Sequence, residues 1–126
     1  YESSAASDVY KRQTIGACGF SSLAATPAWL ATDTARAFTR AYIKTRDYMN
    51  DASASEIAKA EKPLFPDIDL EVLTDCIATY QAMGCWTRHI DITQEGYDAM
   101  LDIFEYDGKL PHRYSYHQVC APPPAI

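Results

Sequence analysis

From Thr14 onward the large apolar side chains recur at intervals of three and four, and the segments they mark are bounded by capping residues and prolines. That period belongs to helices with one buried face. The exception is Cys18 to Thr26, short and mixed with Gly19 near its start, which reads as a strand entering from a loop. Pro27 lacks the amide a ladder needs but suits a first helical turn, so a short turn is expected over Pro27 to Ala31. Asp33 reads as the N-cap of a helix reaching about Asp51, with Phe38, Ala41, Tyr42, Thr45, Tyr48 and Met49 toward the core. Ser53 with Glu56 three residues later makes a capping box for a short helix to about Lys62, stopped by Pro63 and Pro66. Asp69 caps a helix from Leu70 to about Met83, striped by Leu70, Leu73, Ile77 and Tyr80 and stopped by Gly84. Thr93 caps another, with Glu95 near its positive end, a stripe of Tyr97, Met100, Leu101 and Phe104, and Gly108 as its stop. Ala121 to Pro124 is expected to be extended, because each proline also restricts the residue before it.

Composition narrows the function classes. A chain of 126 residues suits one domain or a piece of a larger one. Its formal charge is -6 and it lacks a Lys/Arg cluster, which argues against nucleic acid as a partner. No apolar run approaches the roughly 18 residues of a membrane helix, and no basic start leads into an apolar signal region. The chain opens with Tyr1, and Ser7 to Gln13 has the look of adaptor-derived translation. Residues 1–13 are therefore expected to be a non-native or disordered leader, with a solvated native tail as the alternative.

Periodicity reaches a mostly helical segment and stops there. The run Gly19-Phe20-Ser21-Ser22-Leu23-Ala24-Ala25-Thr26-Pro27-Ala28-Trp29-Leu30 resembles the return segment of ABC-importer substrate-binding proteins of the nitrate, sulfonate and thiamine-pyrimidine group. The helix Ala35-Arg36-Ala37-Phe38-Thr39-Arg40-Ala41-Tyr42 resembles that family too, as do Leu64-Phe65-Pro66-Asp67-Ile68-Asp69 and Tyr80-Gln81-Ala82-Met83-Gly84-Cys85-Trp86-Thr87. Ile92-Thr93-Gln94-Glu95-Gly96-Tyr97 and Asp107-Gly108-Lys109-Leu110 complete the order. No element is specific singly; six in order, over about residues 16–120, resemble that family and say little about the ligand.

The resemblance implies an α/β fold of the type II periplasmic-binding kind, two lobes closing on a small-molecule ligand. This chain would then be a fragment, mostly helical in itself: the return segment of one lobe plus carboxy-terminal helices. Residues 14–120 would be the carboxy-terminal portion of the substrate-binding domain and 121–126 a Pro-rich tail. The closed parent would dock on an ABC permease, so the membrane is met only indirectly. The parent would be periplasmic, or lipid-anchored outside the inner membrane. No enzymatic step and no cofactor are implied. Helices built to cover an absent sheet would leave apolar faces exposed and favour marginal stability or self-association.

In the resembling family the loop returning from the hinge faces the cleft, which makes Cys18 to Ser22 the candidate ligand segment. Ser21 and Ser22 offer hydroxyls and nearby amides, and Phe20 a ring for stacking. The structural alternative makes Phe20 core and lets the two serines alternate on a strand. Trp29 and Trp86 could wall a pocket or simply fill the core. The cysteines Cys18, Cys76, Cys85 and Cys120 allow three full disulfide pairings, or stay as buried thiols. A metal site from Cys85, His89, His112, His117 and Cys120, or a Cys–His nucleophilic pair, lacks any supporting spacing. Asp67, Asp69, Asp98, Asp102 and Glu105 read as caps and solvated faces rather than acid/base groups. Two other readings remain: a thiamine-pyrimidine synthase-like enzyme on the same fold, and an unrelated helical partner-binding module.

Overall fold

The computed structural model describes residues 21–126, and among these every regular element is a helix. The part of the expected strand that is described, Ser21 to Thr26, is neither strand nor helix. A strand needs a partner to take its amides and carbonyls, and no second strand exists among the described residues. Thr26 instead caps α1 (Pro27–Leu30), its Oγ1 accepting from the Trp29 amide at 3.2 Å.

Helix α2 (Asp33–Asp51) is where expected, but its cap is Thr32 rather than Asp33. The Thr32 hydroxyl accepts from the Ala35 amide at 3.1 Å, whereas the Asp33 carboxylate, already inside the helix, accepts from Arg36. The Thr32 hydroxyl can cap while donating to the Trp29 carbonyl at 2.7 Å, because its oxygen still accepts. The buried face also differs from the apolar stripe. Ala35 and Thr39 are buried, while Phe38 and Tyr48 remain nearly half exposed. Tyr42 stacks on Phe38 at 6.1 Å and carries the Arg46 guanidinium over its ring at 5.2 Å, which leaves it only half-buried.

The capping box forms as read. Ser53 Oγ accepts from the Glu56 amide, and Glu56 Oε2 accepts from the Ser53 amide at 3.0 Å, starting α3 (Ala54–Glu61). Pro63 ends it through a single 3-10 turn, Lys62–Leu64. After a loop held by Lys62, α4 (Leu70–Ala82) begins at Asp69, whose backbone is in cap geometry but whose side chain makes no capping bond. Gly84 follows at φ +62, the left-handed conformation that ends a helix. Thr93 caps α5 (Gln94–Tyr106), accepting from the Gly96 amide at 3.1 Å, and Gly108 closes it at φ +68. A further turn, α6 (Tyr116–Val119), precedes the tail 121–126, which has no regular structure.

The chain separates into two units. The second, Ala37–Ile90, is centred on the packing of α3 against α4. Its core is Ile57, Ala58, Leu73 and Ile77, flanked by Met49, Ala52, Ala54 and Trp86. Of the expected α4 stripe, Leu73 and Ile77 are buried, Tyr80 is half-buried and Leu70 is exposed. Polar bonds also join distant parts of the unit: Gln81 Nε2 donates to the carbonyls of Met49 and Ala52, both at 2.9 Å, and Arg88 pairs with Asp47 and Asp51. Of the described residues, the first unit joins those from Ser21 to Arg36 with Asp91–Ile126. In it Tyr97 and Leu101 of α5 are buried, Met100 is half-buried and Phe104 is exposed.

Candidate functional site

Of the residues proposed to meet ligand, Phe20 lies outside the described residues, as does Cys18. Ser21 and Ser22 are exposed on irregular backbone ahead of α1. Trp29 sits on α1 at 37% exposure, its carbonyl accepting from the Thr32 hydroxyl at 2.7 Å. Trp86 belongs to the second unit, where it is half-buried against the Ile57–Ile77 cluster with its ring 5.6 Å from that of Tyr80. Ser21, Ser22 and Trp29 are therefore neighbours through the chain, and Trp86 is part of a different unit.

A concavity does exist in the first unit, from residues the sequence did not single out together. The segment after α5 is pinned by Arg113, whose Nη1 donates to Asp102 at 2.6 Å and to Glu105 at 3.0 Å. Asp98, Asp102 and Glu105 are spaced so that one helix face presents all three carboxyl groups. Asp102 and Glu105 hold the Arg113 guanidinium as a more persistent cation than usual, the Asp102 hydrogen bond being the largest cause. Next, the Tyr97 hydroxyl donates to the Tyr114 carbonyl at 2.9 Å, and the Tyr116 hydroxyl to the Ile92 carbonyl at 2.6 Å. The two rings meet edge to face at 5.9 Å. Gln118 Oε1 then accepts from the Ser115 amide at 3.0 Å and its hydroxyl at 2.8 Å, fixing α6.

Between α6, the tail and Asp91 lies a pocket of about 450 Å³ lined by Asp91, Tyr116, His117, Cys120, Pro122 and Pro123. It is a shallow concavity, about half open to solvent. Its walls are an aromatic ring and proline faces, with a carboxylate, an imidazole and a thiol as polar groups. Burial pushes the Cys120 thiol above its ordinary pKa. That shift favours the protonated thiol, the less nucleophilic form. The arrangement suits non-covalent contact with a small, partly apolar molecule. Sequence reasoning weighed His117 as a metal or nucleophile-pair candidate, and Cys120 as these or as a disulfide partner or buried thiol. Their shared pocket depends on α6, whose signal was the Ser115 and Gln118 spacing just before the prolines.

Among the described residues no three His, Cys, Asp or Glu side chains group so as to hold a metal ion. Cys76, Cys85 and Cys120 are free thiols. No described helix is long and apolar enough to cross a membrane.

Comparison with known proteins adds one likeness. No family model matches the chain, and no solved structure matches it. A stretch of 87 residues, 69% of this chain, is 28% identical to "Putative binding protein YtlA" of Bacillus subtilis (strain 168). That stretch covers 26% of YtlA, so the chain spans about a quarter of the length of this curated relative.

Proposed function

We propose that this chain is the carboxy-terminal part of the substrate-binding component of an ABC importer, one that captures a small molecule outside the inner membrane. The reading rests on one combined observation. The chain carries an ordered series of segments resembling the nitrate, sulfonate and thiamine-pyrimidine group. A long stretch of it is also similar to a quarter of a protein named as a binding protein. Capture by closure of two lobes requires only non-covalent contacts, and the Cys120 pocket, with its protonated thiol, is compatible with that chemistry. On this reading most ligand contacts lie in the rest of the parent, with Phe20, Ser21, Ser22 and Trp29 as this chain's own contribution. The parent then resides in the periplasm or on a lipid anchor, and meets the membrane through its permease.

The test begins with the source DNA, extended upstream of the codon for Thr14 and expressed as the longer product. Its melting temperature is then measured with nitrate, an alkyl sulfonate and a thiamine pyrimidine in turn. A true ligand at a hundred times its Kd adds about 2.7 kcal/mol, a shift of several degrees. One responding compound supports the importer reading. A frame that begins at or just before Tyr1 ends it, and a helical partner-binding module then becomes the better account.

A further inference from the structure

The concavity beside Asp91 has walls that are fixed before anything enters it. The Tyr116 ring is held from two sides. Its hydroxyl donates to the Ile92 carbonyl at 2.6 Å, and its ring meets that of the buried Tyr97 at 5.9 Å. The His117 ring stands nearly at right angles to it, with 76° between the planes and centroids 5.3 Å apart. The Ser115–Gln118 box starts the turn that carries both rings, and the Cys120 amide, donating to the Tyr116 carbonyl at 2.8 Å, ends it. Pro122 and Pro123 follow with restricted backbones and complete the lining. A site made of groups already fixed loses little conformational freedom when it is filled.

Charge decides what rests there. Among the described residues no Lys or Arg lines the concavity, whereas Asp91 does. The arginine and the lysine of the same stretch are engaged elsewhere: Arg113 with Asp98, Asp102 and Glu105, and Lys109 with Asp107. An anion would therefore meet a carboxylate with no cation to offset it, on a chain of formal charge -6. A cation gains from that carboxylate and from the negative face of the Tyr116 ring. The aromatic and proline walls add a demand for a flat, apolar body.

We propose that this concavity binds a small organic cation, a protonated amine joined to a flat ring, with the ammonium toward Asp91 and the ring against Tyr116, His117 and the two prolines. The site is separate from the importer reading, which draws on residues from Phe20 to Trp29, and it stands whichever way that reading is decided. Being shallow and open, it is expected to bind a ligand of roughly nine heavy atoms with a Kd of about 1 mM.

Three probes with one body and different charge test it: phenethylamine, phenethyl alcohol and hydrocinnamate. Each is titrated near neutral pH into the isotope-labelled 126-residue chain while its amide resonances are followed. The amine is expected to move the amides of Tyr116, His117 and Cys120 in a saturable way. The alcohol binds about fivefold more weakly, and hydrocinnamate leaves those amides in place. Asp91→Asn, isosteric and outside every described helix, is expected to weaken the amine about fivefold and leave the alcohol unchanged. Unmoved α5 amides show that this variant keeps its fold. Equal affinity for amine and alcohol overturns the proposal, because the ring alone is then recognised. An amine affinity indifferent to Asp91→Asn overturns it too. So do shifts that never saturate and scatter over the acidic positions of both units, the mark of general attraction to an anionic chain. The probe series needs no variant, so it decides the matter even where Asp91→Asn fails to fold.

Discussion

The half-buried amide of Gln81 holds two distant carbonyls at once. Its two N–H groups serve the carbonyls of Met49 and Ala52, at and just beyond the end of α2, where helical geometry leaves carbonyls without intrahelical partners. Gln81→Met keeps the volume but strips both donors, and is expected to cost about 1–3 kcal/mol in urea denaturation. Gln81→Glu is worse at neutral pH, since a carboxylate then faces two acceptors. Part of that loss returns on acidification, when the carboxyl regains a proton to donate. Equal stability of the two variants at all pH values would show that water serves those carbonyls instead. Nothing in the local sequence announces this role: a glutamine on a helix gives no sign that its partners lie 29 and 32 residues earlier. Trp86 was ambiguous for the same reason. Its identity allowed a pocket wall or a packing role, and only the positions of Tyr80 and the Ile57 cluster put it against the core.

Capping was the most legible feature of the elements, because caps are made by residues close in sequence. Ser53, Thr93 and both stop glycines act as their spacing implied. Asp33 did not, since Thr32 competes for the same amides and Arg36 draws the carboxylate away. The contrast between Ser53 and Asp69 is testable. Ser53→Ala should cost about 1 kcal/mol, while Asp69→Ala should cost clearly less, its side chain making no capping bond. Thermal melts of the two variants decide this, and equal losses would refute it. The box also carries a pH signature. The Ser53 hydroxyl, and then its amide, hold the Glu56 carboxyl below its ordinary pKa. A lowered folded-state pKa means that the contribution is complete above the ordinary carboxylate range. It is lost as pH falls through the lowered value, and Ser53→Ala should flatten that acid limb. Which face of a helix is buried was far less legible. The stripe on α2 was read correctly as apolar, yet Ala35 and Thr39 are the buried positions, because burial is set by the partner and not by the helix.

At the scale of the molecule, the mostly helical character of the described part followed from the three-and-four period, and the strand expected over Cys18–Thr26 is not formed in its described part. The division into two units did not follow from that period, since it depends on contacts between segments far apart in sequence. The pocket of the first unit was hidden for the same reason, Asp91 meeting the tail only once α6 is formed. The second unit relies on four buried residues, of which Ile57 is the largest fully enclosed, at 1% exposure. Ile57→Ala should cost about 2–5 kcal/mol, a large share of the 5–15 kcal/mol that stabilises an ordinary domain. The expected result is loss of slow amide hydrogen exchange throughout α3 and α4. Retained protection there would mean that the core extends well beyond this cluster. The chain also holds two tryptophans, and the division assigns one to each unit: Trp29 to the first and Trp86 to the second. Intrinsic fluorescence can therefore follow each unit separately, with a Trp29→Phe chain emitting from the second alone. Trp86, resting on apolar side chains and Tyr80, shifts to the red as that core opens to water.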